Sequence, residues 1–152
     1  MPICYRGAEL RAGRYSQIGQ IYVITSVVHG RRSIFSDWRM GRLVAAEFRK
    51  AEHEGHAHSL AWVVMPDHFH WLVELKAGSL ATLIRRVKSG SSRAAIAAGA
   101  GPLPVWQKGY YDRAIRREED LQSVARSIVA NPLRAGLVGR IGDYPLWDAV
   151  WL

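Results

Sequence analysis

Two apolar runs separated by one turn dipeptide constrain the fold of this sequence more than any other feature. Residues 58–65 read HSLAWVVM, Pro66-Asp67 follow, and residues 68–75 read HFHWLVEL. Runs rich in Val and aromatic residues favour strands, and a Pro-Asp dipeptide favours a tight turn. The pattern therefore predicts two antiparallel strands joined by a short turn.

The other segments complete a β-α-β-β-α-β-α order. In sequence order we predict a strand over 20–28, a helix over 38–54 that Asp37 could cap, the two strands above, a helix over 79–98, a strand within 105–116 and a helix over 118–130. This order is that of a split β-α-β unit. We therefore expect an α+β, ferredoxin-like fold, with helices packed on one face of an antiparallel sheet.

Length and composition limit the class of protein. The chain has 152 residues, of which 49% are hydrophobic, so it can form a core and is not disordered throughout. One cysteine excludes an internal disulfide, and the lack of a long apolar run predicts no membrane span. We expect one domain over residues 1–152 in a bacterial-type cytoplasmic protein, with a flexible basic segment over 1–15 and a C-terminal tail over 140–152.

Charge points to a polyanionic partner, most simply nucleic acid. Lys and Arg number 21 against 13 Asp and Glu, a net charge of +8. Eight of these cations lie between Arg85 and Arg117, where Asp112 is the only acid, so this stretch carries +7 and could form one cradle for DNA. Arginine forks bind phosphate oxygens in pairs. A GC-rich genome would also enrich arginine without any functional meaning.

His68 and His70 alternate along a predicted strand. Side chains repeat every two residues on a strand, so both imidazoles are expected on one face, with Phe69 pointing to a core. Two neighbouring imidazoles can share a metal ion, but a third ligand must come from elsewhere. The alternative is a pair of polar residues on a solvated face of the sheet.

Three blocks together identify a family resemblance. They are AWVVMPDHFHWL at 61–72, VWQKGYYDRAIR at 105–116 and SIVANPLRAGLV at 127–138. In this order and spacing they resemble the REP-associated tyrosine transposases, which belong to the HUH single-strand DNA transposases and nucleases. The resemblance covers roughly residues 5–150. It implies a divalent metal, Mg²⁺ or Mn²⁺, held by His68, His70 and Asn131, although Asn131-Pro132 can also be read as a helix end followed by a breaker.

The family nucleophile is where the sequence departs from the pattern. In the family, a tyrosine four residues before the amide attacks DNA and forms a 5′-phosphotyrosine, and the matching residue here is Ser127. Serine is shorter, and its hydroxyl is a much weaker acid than a phenol. The resemblance therefore implies a transposase or single-strand endonuclease that binds DNA without cutting it. Whether Ser127 is natural or engineered stays open.

The partner implied by the resemblance is a palindromic DNA hairpin with a flanking single strand. Cations would contact phosphates, and aromatic residues such as Trp106, Tyr110, Tyr111 and Trp38 could stack on unpaired bases. Trp147 and Trp151 are expected to pack over the sheet. The predicted DNA-binding residues are Arg11, Arg14, Arg85, Arg86, Lys88, Arg93, Trp106, Lys108, Tyr110, Arg113, Arg116 and Arg117.

Two other functions stay open beside the enzyme. One is a non-catalytic hairpin-binding protein domesticated from a transposase, and the other is a basic RNA-binding domain of ferredoxin-like fold. The resemblance implies a monomer associated with the nucleoid. A dimer that exchanges the helix of residue 127 between subunits is the alternative.

Overall fold

The computed structural model describes residues 4–6, 16–116 and 120–151 of the chain. Within these residues the strands and α-helices are, in order, β1 (Cys4–Arg6), β2 (Ile21–Val27), α1 (Trp38–His53), β3 (Ala57–Met65), β4 (His68–Leu75), α2 (Leu80–Ala97), β5 (Tyr110–Ala114), α3 (Leu121–Val129), α4 (Asn131–Arg134) and β6 (Trp147–Ala149). No helix in these ranges is long and apolar enough to cross a membrane.

The strands form one antiparallel sheet. Their order is β1-β5-β2-β4-β3-β6, so β4 lies between the two strands that α1 connects. Met65 pairs with His68 across the Pro66-Asp67 turn, as the sequence predicts. The α+β, ferredoxin-like split β-α-β fold is therefore confirmed.

Short polar side chains begin the three longer helices. Asp37 accepts a hydrogen bond from the backbone N–H of Arg39, Ser79 accepts one from Thr82, and Asp120 caps the first turn of α3. Each satisfies donors that the first helical turn leaves unpaired. The predicted helices thus begin close to their capping residues, and the third starts at Leu121 rather than 118.

The helices divide between the two faces of the sheet. On one face α1 and α2 cover a core in which Phe48 stacks on Trp71, with ring centroids 4.4 Å apart. On the other face α3 packs Ile128 into a second core with Val63 and Leu72. The prediction that helices pack on one face holds for α1 and α2 but is wrong for α3. The central strands carry apolar residues on both faces of the sheet, so helices must cover both faces.

Both ends of the described chain extend the sheet. Cys4–Arg6 pair with β5, a strand that the sequence analysis did not predict within the N-terminal segment. At the other end β6 pairs with β3, so the predicted tail is an edge of the sheet. The Tyr144 hydroxyl donates to the Val64 carbonyl at 2.6 Å, and this contact fixes the approach to β6. Burial raises the pKa of Tyr144 to about 12, so this hydroxyl keeps its proton at neutral pH.

The two tail tryptophans differ. Trp147 lies in β6, is half-buried, and donates its indole N–H to the Ile141 carbonyl at 3.0 Å. Trp151 is 37% exposed. Trp147 therefore packs at the edge of the sheet, whereas Trp151 lies beyond the last strand and its packing over the sheet stays a prediction.

Candidate active site

His68 and His70 lie side by side at the start of β4. Their rings meet edge to face with centroids 4.8 Å apart. Phe69 between them is buried in the core under α1 and α2, whereas His70 faces α3. The prediction that side chains alternate between the two faces of this strand is therefore confirmed.

Each imidazole is held through its Nδ1 atom. In His68 this nitrogen lies 2.7 Å from Oδ1 of Asp67, and in His70 it lies 2.7 Å from Oγ1 of Thr25. These bonds leave Nε2 of each ring for another partner. Metal-binding histidines are commonly oriented in this way, by a carboxylate or other polar group on the second ring nitrogen. The pair thus fits the role of two metal ligands.

Asp67 connects the histidine pair to a basic loop. Its Oδ2 lies 3.1 Å from a guanidinium nitrogen of Arg31, a residue with a positive φ of 54°. Burial raises the pKa of Asp67, but the hydrogen bond and charge of His68, followed by those of Arg31, lower it below the ordinary value. Asp67 is therefore ionised at neutral pH and accepts the N–H of His68.

His70 is neutral at physiological pH. Burial lowers its pKa to about 3, and electrostatic interactions with His68 and Arg134 contribute in the same direction. A neutral imidazole has a lone pair to give to a metal ion, whereas a protonated one does not.

A cleft of about 410 Å³ lies between the sheet and the helix pair α3–α4. His70 from β4, Ser127 from α3 and Asn131 from α4 all line it, so three of the four predicted catalytic and metal residues share one site. His68 reaches this group through its ring contact with His70. Asn131 uses its side-chain N–H to bond the Ile128 carbonyl at 3.2 Å, which leaves its amide oxygen as a possible ligand.

Two guanidinium groups make the cleft suited to an anion. Arg113 from β5 and Arg134 from α4 both line it. Arg134 also donates to the backbone carbonyl of Ser127 at 2.6 Å, which ties α4 to α3. Arginine forks bind the oxygens of phosphate or carboxylate groups, so the cleft combines metal-ligand chemistry with anion binding.

Three residues of this site escaped the sequence analysis. Arg134 lies three positions after Asn131, and helical spacing could have placed the two together. Asp67 directly precedes His68, so a carboxylate beside the pair was visible in the sequence. Thr25 meets His70 only through the register of β2 on β4, which the sequence does not reveal.

The candidate metal ligands of this site differ from those of a typical zinc site. Within residues 4–6, 16–116 and 120–151, no group of three or more His, Cys, Asp and Glu side chains could hold a metal ion. Two imidazoles and an amide oxygen are the set present. An amide oxygen suits hard cations such as Mg²⁺ and Mn²⁺.

The basic stretch that starts at Arg85 does not form one cradle. Arg113 lines the cleft, and Arg116 lies in a groove at the start of α3. Arg85, Arg86 and Arg93 line a groove of about 490 Å³ between α1 and α2, on the opposite face of the sheet. The prediction of a single cradle is wrong because consecutive elements of this fold lie on different faces.

Two of the remaining predicted cations, Lys88 and Lys108, line one groove together with Arg85, Trp106 and Tyr110. Lys88 donates to the backbone carbonyls of Gln107, at 2.9 Å, and Gly109, and so it braces the loop before β5. Lys108 is exposed on the same loop. Arg11, Arg14 and Arg117 lie outside the described residues.

Two predicted base-stacking residues belong to the core. Trp106 is 7% exposed, donates its indole N–H to Ser91 at 3.0 Å, and packs against Phe35. Tyr110 is 5% exposed in the same core. Both residues line a groove next to α2, but almost all of each side chain is covered, so the prediction that they stack on DNA bases is wrong.

Comparisons with known proteins bear on the family and the fold. The REP-associated tyrosine transposase of Escherichia coli (strain K12) is 30% identical over 87 residues, which are 56% of this chain and 50% of the relative. The chain thus aligns with about half the length of this curated relative. A solved REP-associated tyrosine transposase bound to a REP hairpin superposes with a TM-score of 0.73 at 25% identity, over 88% of this chain and 79% of that one.

A second solved structure supports the fold alone. It is a protein of Deinococcus radiodurans R1 assigned as a transposase, with a TM-score of 0.54 and 16% identity over 78% of this chain and 95% of that one. The family model described as "Transposase IS200 like" matches residues 16–128, the part that contains the histidine pair and Ser127. Because this match spans most of the chain, the chain belongs to the IS200-like transposase family.

Proposed function

We propose that this chain binds a palindromic DNA hairpin with a flanking single strand, and that Ser127 leaves it unable to cut that strand. The observation that carries the proposal is the meeting of His70, Ser127 and Asn131 with two arginines in one cleft. The hairpin partner is supported by the solved relative that carries a REP hairpin.

His68, His70 and Asn131 would hold a divalent cation, Mg²⁺ or Mn²⁺. When bound, such an ion supplies Lewis-acid polarisation of a phosphate oxygen. The neutral state of His70 and the Asp67 carboxylate behind His68 keep both imidazoles ready as ligands. Every nucleotide of a DNA strand carries a phosphate whose oxygen could meet this ion.

Arg113 and Arg134 would hold a phosphate of the bound strand. Both line the cleft beside His70, and the charge of Arg134 already acts on that ring. Each phosphate contact of this kind releases counterions from DNA, so affinity should fall steeply as salt rises.

Ser127 occupies the position from which a tyrosine would attack. It lies four residues before Asn131 and is exposed in the cleft. A phenolate there would form a bond from its oxygen to phosphorus, break the bond from phosphorus to the 3′ oxygen, and leave that oxygen to take a proton. The serine hydroxyl is shorter by a ring and stays protonated near neutral pH. This substitution supports hairpin binding without cleavage.

Ser127→Tyr tests the catalytic part of the proposal. With Mn²⁺ and a REP-like hairpin that carries a single-strand flank, we expect a covalent protein–DNA adduct on a denaturing gel. The wild-type chain and Ser127→Phe, which has the ring without the hydroxyl, should bind the hairpin and give no adduct. A folded Ser127→Tyr protein that binds hairpin and metal but forms no adduct would refute the assignment.

The second candidate is a DNA- or RNA-hairpin-binding protein domesticated from a transposase, whose binding does not depend on the metal site. The exposed serine in place of a tyrosine favours it. So do the three arginines of the groove between α1 and α2, which Glu47 and Glu54 also line. It predicts tight, salt-sensitive hairpin binding that survives His68→Ala. A competition between DNA and RNA hairpins of the same sequence decides which nucleic acid it binds.

We propose that the chain acts as a monomer. The helix with Ser127 packs on the sheet of its own chain through Ala125, Ile128 and Val129. This packing supports a monomer that associates with the nucleoid by binding genomic palindromes. Light scattering during gel filtration, with and without hairpin, tests the oligomeric state, and a dimer that exchanges α3 would contradict it.

A further inference from the structure

Trp38 presents an aromatic surface to solvent at the first residue of α1. It is 46% exposed, whereas Trp106 and Tyr110 are buried in the core. We propose that Trp38, together with Arg39 and Arg42, forms a platform on which the single-stranded flank of the DNA stacks a base. The proposal rests on the hairpin-binding function above and assigns its single-strand contact.

Two guanidinium groups lie over the indole ring of this Trp38 platform. The central carbon of the Arg42 guanidinium is 5.3 Å from the ring centroid, and that of Arg39 is 6.0 Å away. Arg42 is one helical turn after Trp38, which brings the two side chains together. The cation–π contacts hold the ring in place, and the same cations can pair with the phosphate that follows a stacked base.

The local charge favours a polyanion. The platform and the residues before it contain four arginines: Arg31, Arg32, Arg39 and Arg42. Asp37 is the one acid among residues 29–42. The Asp37 carboxylate accepts a hydrogen bond from the Arg39 backbone N–H at 3.0 Å as a helix cap. The segment therefore carries a net positive charge beside an exposed ring, the combination that binds single strands without sequence preference.

The platform lies at the same end of the sheet as the histidine pair. The segment before α1 bonds to the β3–β4 turn, since Phe35 donates to the Pro66 carbonyl at 2.9 Å and Val28 to the Asp67 carbonyl at 2.8 Å. Asp67 in this turn accepts the N–H of His68. A strand that leaves the cleft across this turn passes Arg31 and arrives at Trp38.

The test compares a hairpin with a single-strand flank and the same hairpin without it, by fluorescence anisotropy. We expect Trp38→Ala to weaken binding of the flanked hairpin about 5- to 150-fold, the equivalent of roughly 1–3 kcal/mol for one stacked base. Binding of the unflanked hairpin should not change. Trp38→Phe should recover part of the loss, and Arg42→Gln should weaken the flanked hairpin only.

Trp151→Ala is the matched control. This tryptophan is also exposed but lies after β6, and no arginine is placed over its ring among the described residues. It should bind both hairpins as the wild type does. The proposal is overturned if Trp38→Ala binds the flanked hairpin normally, weakens both hairpins equally, or has no larger effect than Trp151→Ala.

An unstructured oligothymidylate separates this proposal from the hairpin function. If the wild-type chain shows no preference for hairpins, the proposed function fails, but the platform still predicts that Trp38→Ala weakens oligothymidylate binding by a similar factor. Equal binding of oligothymidylate by wild type and Trp38→Ala overturns the platform. So does a wild-type chain that binds no single strand at all.

Discussion

Burial of His70 makes the stability of this protein sensitive to acid. Its pKa is about 3 in the folded chain against an ordinary 6.5. Between these values the unfolded chain binds a proton at this residue and the folded chain does not, so the free energy of unfolding falls as the pH drops below 6.5. At pH 4.5 the unfolded histidine is two units below its pKa, which corresponds to a loss of about 3 kcal/mol.

Urea unfolding at pH 7 and pH 4.5, with a chelator present, measures this loss. We expect His70→Gln to lose about 3 kcal/mol less than the wild type between the two pH values, because the amide does not titrate. His53→Gln, on an exposed part of α1, should behave as the wild type. If the wild type and His70→Gln lose the same stability, the buried imidazole is not the source of acid sensitivity.

Two further changes test separate contacts. Asp67→Asn removes the carboxylate that orients His68, and Mn²⁺ affinity measured by calorimetry should fall about 10- to 100-fold, whereas an unchanged affinity would show that His68 needs no such partner. Gly41→Ala places a Cβ against the Leu146 side chain and should cost about 1–3 kcal/mol in urea unfolding. Gly142→Ala, where a Cβ meets nothing within 4 Å, is the control, and equal stability of the two variants would contradict the packing of Leu146 on α1.

Local patterns account for the parts of the fold that the sequence predicts well. In strand β4, helix α1 and their neighbours, apolar residues recur at the spacing of a strand or of a helix. Each element can therefore be predicted from its own segment of sequence. Cys4–Arg6 and Trp147–Ala149 are three-residue strands defined by the partner they pair with. Such short edges have no period of their own, which is why both escaped prediction.

The candidate site was predictable where it depends on chain order and obscure where it depends on packing. The pairing of His68 with His70 follows from strand alternation, whereas Ser127 and Asn131 come from the family resemblance. Trp106 could equally stack on a base or fill a core, since an aromatic ring suits both. Only the contacts of its ring with Phe35 and Phe69 decide for the core.

The distribution of charge over two faces limits how DNA can lie on this protein. Arg113 and Arg134 face the cleft, while Arg85 and Arg86 lie beyond the sheet in the groove between α1 and α2. The two sets lie on opposite faces of the sheet, so one straight helix of DNA cannot contact both of them. A nucleic acid that reaches both must pass around an end of the sheet, and the end with the β3–β4 turn carries Arg31 and Trp38. A hairpin stem joined to a flexible single strand has the shape for this path, whereas an uninterrupted duplex does not.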